Sequence, residues 1–285
     1  MADGIKTESL LDRLLRVDRR IIFLFVLISV TLPFYVDWPP FNVEVSQQVE
    51  AAYSVVDAIP PHGRPLMISI DYDPASEAEL TPMATAVLRH CFSKGIRVVV
   101  ISLQYSGQGA GIAAELVPKI AAEYGAKKNE DWCFLGFSPN AVVAMLQMGE
   151  GIKKAFPVDY YGTPYDQIPM LASVQNYSQI AAVLTLASTA ISQSWVVYAV
   201  SRYGVTLLEG ITAVYAADIQ PFFQTGQIKG ILGGLKGAAE YEKRIGREGD
   251  GMGGMRSQKV VHYMIILFVI IGNIAYLRGR RRKRG

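Results

Sequence analysis

Apolar residues recur along this chain in two rhythms. At each end they form one long unbroken run, residues 21–36 (IIFLFVLISVTLPFYV) and residues 260–277 (VVHYMIILFVIIGNIAYL). Between them, apolar runs of strand length alternate with amphipathic runs of helix length. Strands are predicted at 66–72, 97–103, 132–137, 180–187, 205–215 and 229–232, with a short further strand at 157–161. The run RVVVISL at 97–103 has a β-branched centre, Val98 to Ile101, the type buried on both faces of a parallel sheet. Helices are predicted at 43–59, 77–93, 110–124, 138–154, 192–203, 218–225 and 235–245. Lys94-Gly95 closes the second of these, and Ser138-Pro139 supplies an N-cap and first position for the fourth.

Alternation of strand and helix requires a parallel sheet with helices on both faces. The predicted fold class is therefore α/β, a doubly wound, Rossmann-like parallel sheet flanked by one N-terminal and one C-terminal transmembrane helix. A crossing helix needs about 20 apolar residues, within a range of roughly 17–25. The second run offers eighteen without a charge and the first sixteen. Cleavage of the first run as a signal peptide is disfavoured, because DWPPF follows it in place of a small-residue site. The apolar stretch 179–217 is not read as a third span, since Arg202 and Glu209 interrupt it.

Charge sets the expected orientation. Residues 278–285 carry Arg278, Arg280, Arg281, Arg282, Lys283 and Arg284 with no acid, and the N-terminal flank carries Lys6, Arg13, Arg16, Arg19 and Arg20. Both termini are expected in the cytoplasm, which puts the middle of the chain on the far side. Lys243, Arg244, Arg247, Arg256 and Lys259 precede the second span, but the charges of a long translocated domain count for little. Residues 21–277 are net −4 in a chain of net +3, so the basic character belongs to the ends. The expected organisation is a cytoplasmic amphipathic flank (1–20), a span (21–37), an extracytoplasmic domain (38–243), a Gly-rich tether (244–259), a span (260–277) and a basic tail (278–285). Arg19, Arg20, Trp38 and the basic residues 278–284 are expected to meet anionic lipid headgroups. The tail abuts a span, so lipid is favoured over nucleic acid, and no nucleic-acid partner is expected.

Candidate chemistry lies at strand C-termini, where doubly wound sheets bind ligands. These positions supply Asp71, Tyr72, Asp73, Ser102, Gly107, Gly109, Gly111, Ser138, Asn140 and Ser188 as expected pocket residues. The strand followed by Asp71-x-Asp73 resembles the first motif of haloacid-dehalogenase-like phosphatases, and Ser102 fits that family's second motif. The resemblance implies Mg²⁺-dependent phosphoryl chemistry, with Asp71, Asp73 and Ser102 as catalytic candidates. In LGFSPNAV, however, Phe137 and Val142 stand where that family has acids. Gly107, Gly109 and Gly111 follow G-x-G-x-G rather than the dinucleotide fingerprint, because Ile112 occupies its last position. Gly136–Asn140 lacks the second glycine of a nucleophile elbow. His62, His90 and His262 share no metal-ligand spacing, and Cys91 and Cys133 imply no disulfide framework. No cofactor and no bound metal are expected.

Segment 222–241 resembles the last strand and helix of sugar-binding type I periplasmic proteins, and the span–domain–span layout resembles auxiliary subunits of some ABC transport systems. The favoured function is a membrane-anchored extracytoplasmic binding or assembly module, an accessory subunit with a membrane-protein partner or a second copy of itself. A ligand-sensing or transport-associated domain and a Mg²⁺-dependent phosphohydrolase are the alternatives.

Overall fold

The apolar runs of the central region become six parallel strands, because each is flanked by helices that bury both of its faces. The computed structural model describes residues 18–36, 42–104 and 106–282. They divide into a domain, Val43–Met252, and a terminal unit drawn from Met1–Asn42 and Gly253–Gly285.

In chain order the elements are α1 (Arg19–Thr31), α2 (Gln47–Asp57), β1 (Leu66–Asp71), α3 (Glu77–Ser93), β2 (Val98–Ser102), α4 (Gln108–Glu123), β3 (Trp132–Phe137), α5 (Ala141–Glu150) and α6 (Ile152–Ala155). There follow β4 (Ala182–Ala187), α7 (Ile191–Trp195) with a π turn (Val196–Val200), α8 (Ser201–Tyr203), β5 (Leu207–Ile211), α9 (Ala216–Gln224), β6 (Ile228–Gly233), α10 (Gly234–Arg244) and α11 (Asp250–Arg282).

The strand order is β3-β2-β1-β4-β5-β6, all parallel. The direction of winding reverses between β1 and β4, the switch point at which such sheets open a crevice. Alternate strand residues feed two cores. Leu66, Ile68, Ile70, Val98, Val100, Leu184 and Leu208 meet α2, α3, α4 and α10. Met67, Val99, Ile101, Val183, Leu207 and Ile211 meet α5, α6, the 156–180 segment, α7 and α9.

The first face carries a polar tie among helices. His90 lies between Tyr241, 2.8 Å from Nδ1, and Asp57, 3.2 Å from Nε2, with Tyr53 stacked on its ring. The Lys94 ammonium beside Asp57 holds that carboxyl down at about 2. This satisfies a buried imidazole without metal chemistry.

Four expectations change. Segment 157–161 makes only one isolated bridge, Val158 with Pro164, so it is not a sheet strand. The N-cap of α5 is Asn140, whose Oδ1 accepts from Val143 N at 3.2 Å, not Ser138. The segment read as a tether is helical from Asp250 onward. The N-terminal apolar run makes a helix of 13 residues and then a 3₁₀ turn, Leu32–Phe34. Pro33 lacks the N–H that would continue the α-helix. Among the described residues one helix, Asp250–Arg278, is long and apolar enough to cross a membrane.

Within the terminal unit α1 and α11 pack on each other in opposite senses. Phe25 meets Phe268 edge-on at 6.5 Å, Ser29 Oγ lies 3.1 Å from Met264 Sδ, and Ser257 Oγ donates to Val30 O at 2.8 Å. Their remaining apolar side chains, including Phe23, Leu24, Leu27, Ile265, Leu267 and Val269, stay exposed. Residues 1–17, Trp38, Lys283 and Arg284 lie outside the described residues, as do the side chains of Arg280, Arg281 and Arg282. The flank and most lipid contacts expected from sequence fall there.

Candidate functional site

The C-terminal edge of the sheet brings together the ends of β1, β2 and β4 and gathers Ser102, Gly109 and Ser138, but it turns Asp71 to the other face. Asp71 is fully buried. One carboxylate oxygen accepts from Leu103 N at 2.6 Å and the other from Thr185 Oγ1 at 3.2 Å. It thereby ties β1 to the end of β2 and to β4. Burial pushes its carboxyl up to about 6 against the pull of those hydrogen bonds. Asp73 has left the strand. It caps the 3₁₀ turn Pro74–Ser76 and accepts from Ser76 Oγ at 3.2 Å. The two acids therefore do not form an open dicarboxylate. Tyr72 is buried, with its hydroxyl 2.9 Å from Thr81 Oγ1.

Ser102 lies on the opposite face of the sheet from Asp71. It continues the alternation of Val98 and Val100 into the first core, whereas Asp71 continues that of Met67 into the second. The phosphatase-like pairing of Asp71 with Ser102 is thus not assembled. Among the described residues, no three His, Cys, Asp or Glu side chains are grouped to hold a metal ion.

The three glycines after β2 do different work. Gly107 has φ +71° and precedes α4 as its cap. Gly109 lets α4 approach the sheet, since a Cβ there would lie 2.2 Å from Ile70 O and 2.8 Å from Ser102 Oγ. A Cβ on Gly111 would meet nothing within 4 Å. The loop amides are partly satisfied from within, because Gln104 Oε1 accepts from Gly109 N at 3.1 Å. Ser138 donates its N–H to Ser102 O at 3.0 Å, Asn140 is an exposed cap, and Ser188 is half-buried just beyond β4.

The structure assembles instead a polar row inside the sheet. Ser69 of β1, Thr185 of β4 and Glu209 of β5 are paired in register and all face the second core. All three have zero exposure. Ser192 and Trp195 of α7 cover the row, and both are buried. Burial pushes the Glu209 carboxyl up to about 8, opposed by Ser192. The sequence signal for this row is an acid inside an apolar strand. Its grouping with Ser69 and Thr185 depends on strand order.

Two further features mark the domain. The buried Glu242 carboxylate accepts from Gly249 N at 3.0 Å, Gly251 N at 2.9 Å and Met252 N at 2.7 Å, which caps the start of α11. Along edge strand β3, Phe137, Tyr160 and Tyr161 are exposed, with Tyr160 stacked on Phe134 at 4.7 Å and the Lys128 ammonium 3.6 Å from the Tyr161 ring centre. No protein family, curated protein or solved structure matches the chain.

Proposed function

We propose that this chain is a membrane-anchored binding or assembly module, an accessory subunit whose doubly wound domain stands on the extracytoplasmic side of a bilayer. The pairing of α1 with α11 carries this reading. The two helices satisfy each other through Phe25–Phe268 and Ser257–Val30 and turn their other apolar side chains outward. Two adjacent helices exposed in this way suit a lipid surface better than water. In this reading α1 crosses with its 3₁₀ turn and basic flank completing the span. Both termini are cytoplasmic, and Arg19, Arg20 and the basic tail hold anionic headgroups.

Asn273 supports a partner within the membrane. Its Nδ2 donates to Val269 O at 2.9 Å, and the side chain is exposed on α11 next to Gly272, where the space beside the backbone is open. An amide facing lipid is costly, and small residues admit a second helix closely. The partner is a membrane protein or a second copy of this chain.

The test is purification of the tagged full chain in gentle detergent, with mass spectrometry of co-eluting proteins and sizing of the complex. Stoichiometric membrane partners or a defined homo-oligomer, weakened by Asn273→Leu, are the expected result. A lone monomer, indifferent to Asn273→Leu, overturns the assembly role.

A further inference from the structure

Beneath α7, polar groups face one another inside the sheet without bonding. Among the described residues neither carboxylate oxygen of Glu209 has a hydrogen-bond partner, and neither has Ser192 Oγ, although Ser192 is close enough to act on that carboxylate. Around Asp71, Ser69 Oγ and Trp195 Nε1 likewise make no hydrogen bond of ordinary geometry, although both are close enough to act on the Asp71 carboxylate. Neighbouring strands are about 4.8 Å apart. Ser69, Thr185 and Glu209, paired in register, therefore stand side by side under Ser192.

Buried polar atoms of native proteins are normally satisfied, and a clustered set of exceptions calls for a bound species. The charge of this row narrows the choice. No cationic side chain pairs with Glu209 among the described residues, and an ionised carboxylate in the interior needs a counter-charge. A cation engages several oxygens at once. The available donors are hard oxygens, which suit hard cations rather than thiophilic or imidazole-seeking metals. Asp71 takes hydrogen bonds from Leu103 and Thr185, which leaves Glu209 as the carboxylate of the row without one.

We propose that the row Ser69–Thr185–Glu209, closed by Ser192, binds one small monovalent cation of the alkali-metal or ammonium type, with Glu209 as its counter-charge. The α7 side covers the row. The π turn Val196–Val200 follows α7 directly, and Ser201 Oγ bonds back to Val196 O at 2.9 Å. Such turns interrupt regular helical bonding and recur where a helix borders a site.

The experiment is thermal unfolding of the full chain in detergent in sodium, potassium, ammonium or choline chloride at equal ionic strength. Choline is too large for the row and serves as the reference. The pH is set at about 8.5, above the raised value of Glu209, so that the carboxylate is ionised. The expected result is a higher, saturable Tm in at least one small cation than in choline. That shift is lost in Glu209→Gln and reduced in Ser192→Ala. Identical Tm values in all four salts overturn the proposal. So does a shift that persists in Glu209→Gln, which places the cation elsewhere. A Glu209→Gln protein more stable than the parent, with no cation dependence in either, shows a carboxyl neutralised by a proton only.

Discussion

Gly109 stands so close to Ile70 that a Cβ added to it would lie 2.2 Å from the Ile70 carbonyl oxygen. This contact seats α4 on the C-terminal end of β1, next to the switch point of the sheet. Backbone cannot yield there as a flexible side chain does. Gly109→Ala is expected to destabilise the domain by about 1–3 kcal/mol, as overpacking does. Gly111→Ala, two residues along the same helix and facing open space, is expected to stabilise it by about 0.5–1 kcal/mol through helix propensity. Chemical denaturation of the two variants in parallel separates a packing role from mere loop flexibility.

Glu209 gives the domain a definite pH dependence. Its ordinary value is 4.5, and burial raises it to about 8. With no cation bound, the folded protein therefore holds a proton that the unfolded chain has released. Its stabilising contribution is full below 4.5 and is lost as pH rises towards 8. Asp71, raised from 3.8 to about 6, acts in the same sense over a lower window. In choline chloride, where no small cation is present, Tm is expected to fall from about pH 5 to pH 8, and Glu209→Gln is expected to flatten the upper part of that decline. In that salt a parent curve that is flat or rising over pH 6–8 contradicts the burial of an unpaired carboxyl.

Glu242 supplies the acceptors that the first turn of α11 lacks, since the first amides of a helix have no intrahelical partner. Glu242→Ala leaves three N–H groups without it and is expected to cost about 1–3 kcal/mol. Hydrogen exchange at Gly251 and Met252 should accelerate in the variant more than at the strands. Uniform acceleration across the domain indicates global destabilisation instead of a local cap.

Cys91 and Cys133 are fully buried, and burial pushes both thiols well above their usual range. Neither is expected to react with thiol reagents in the native protein, and both should react after unfolding. That silence makes the chain suitable for mapping topology. A cysteine at the exposed position Ser178 should label with an impermeant maleimide in intact cells, and one appended after Gly285 only after permeabilisation. The reverse pattern inverts the proposed orientation.

Much of the domain was legible along the chain because local rhythm reports burial. The predicted helix at 77–93 coincides with α3, and six of the seven predicted strands form the sheet. The failures have local physical causes. At 157–161 the β-like composition lacked a neighbouring strand to pair with. Asn140 captured the cap expected of Ser138, and Pro33 ended a helix that hydropathy alone would have continued.

The site was much less legible. The sequence by itself determined that Asp71 ends a strand and that Glu209 interrupts an apolar run. Each residue's neighbours within a few positions settle both facts. Only the tertiary structure decided that Asp71 and Ser102 face opposite sides of the sheet, and that Ser69, Thr185 and Glu209 share one row. Side-chain alternation is set residue by residue, but strand neighbours come from the crossover order. A sheet in which β4 lies beside β1 unites residues separated by more than a hundred positions. No local pattern carries that order, because it is fixed by how helices on both faces bury their apolar sides together.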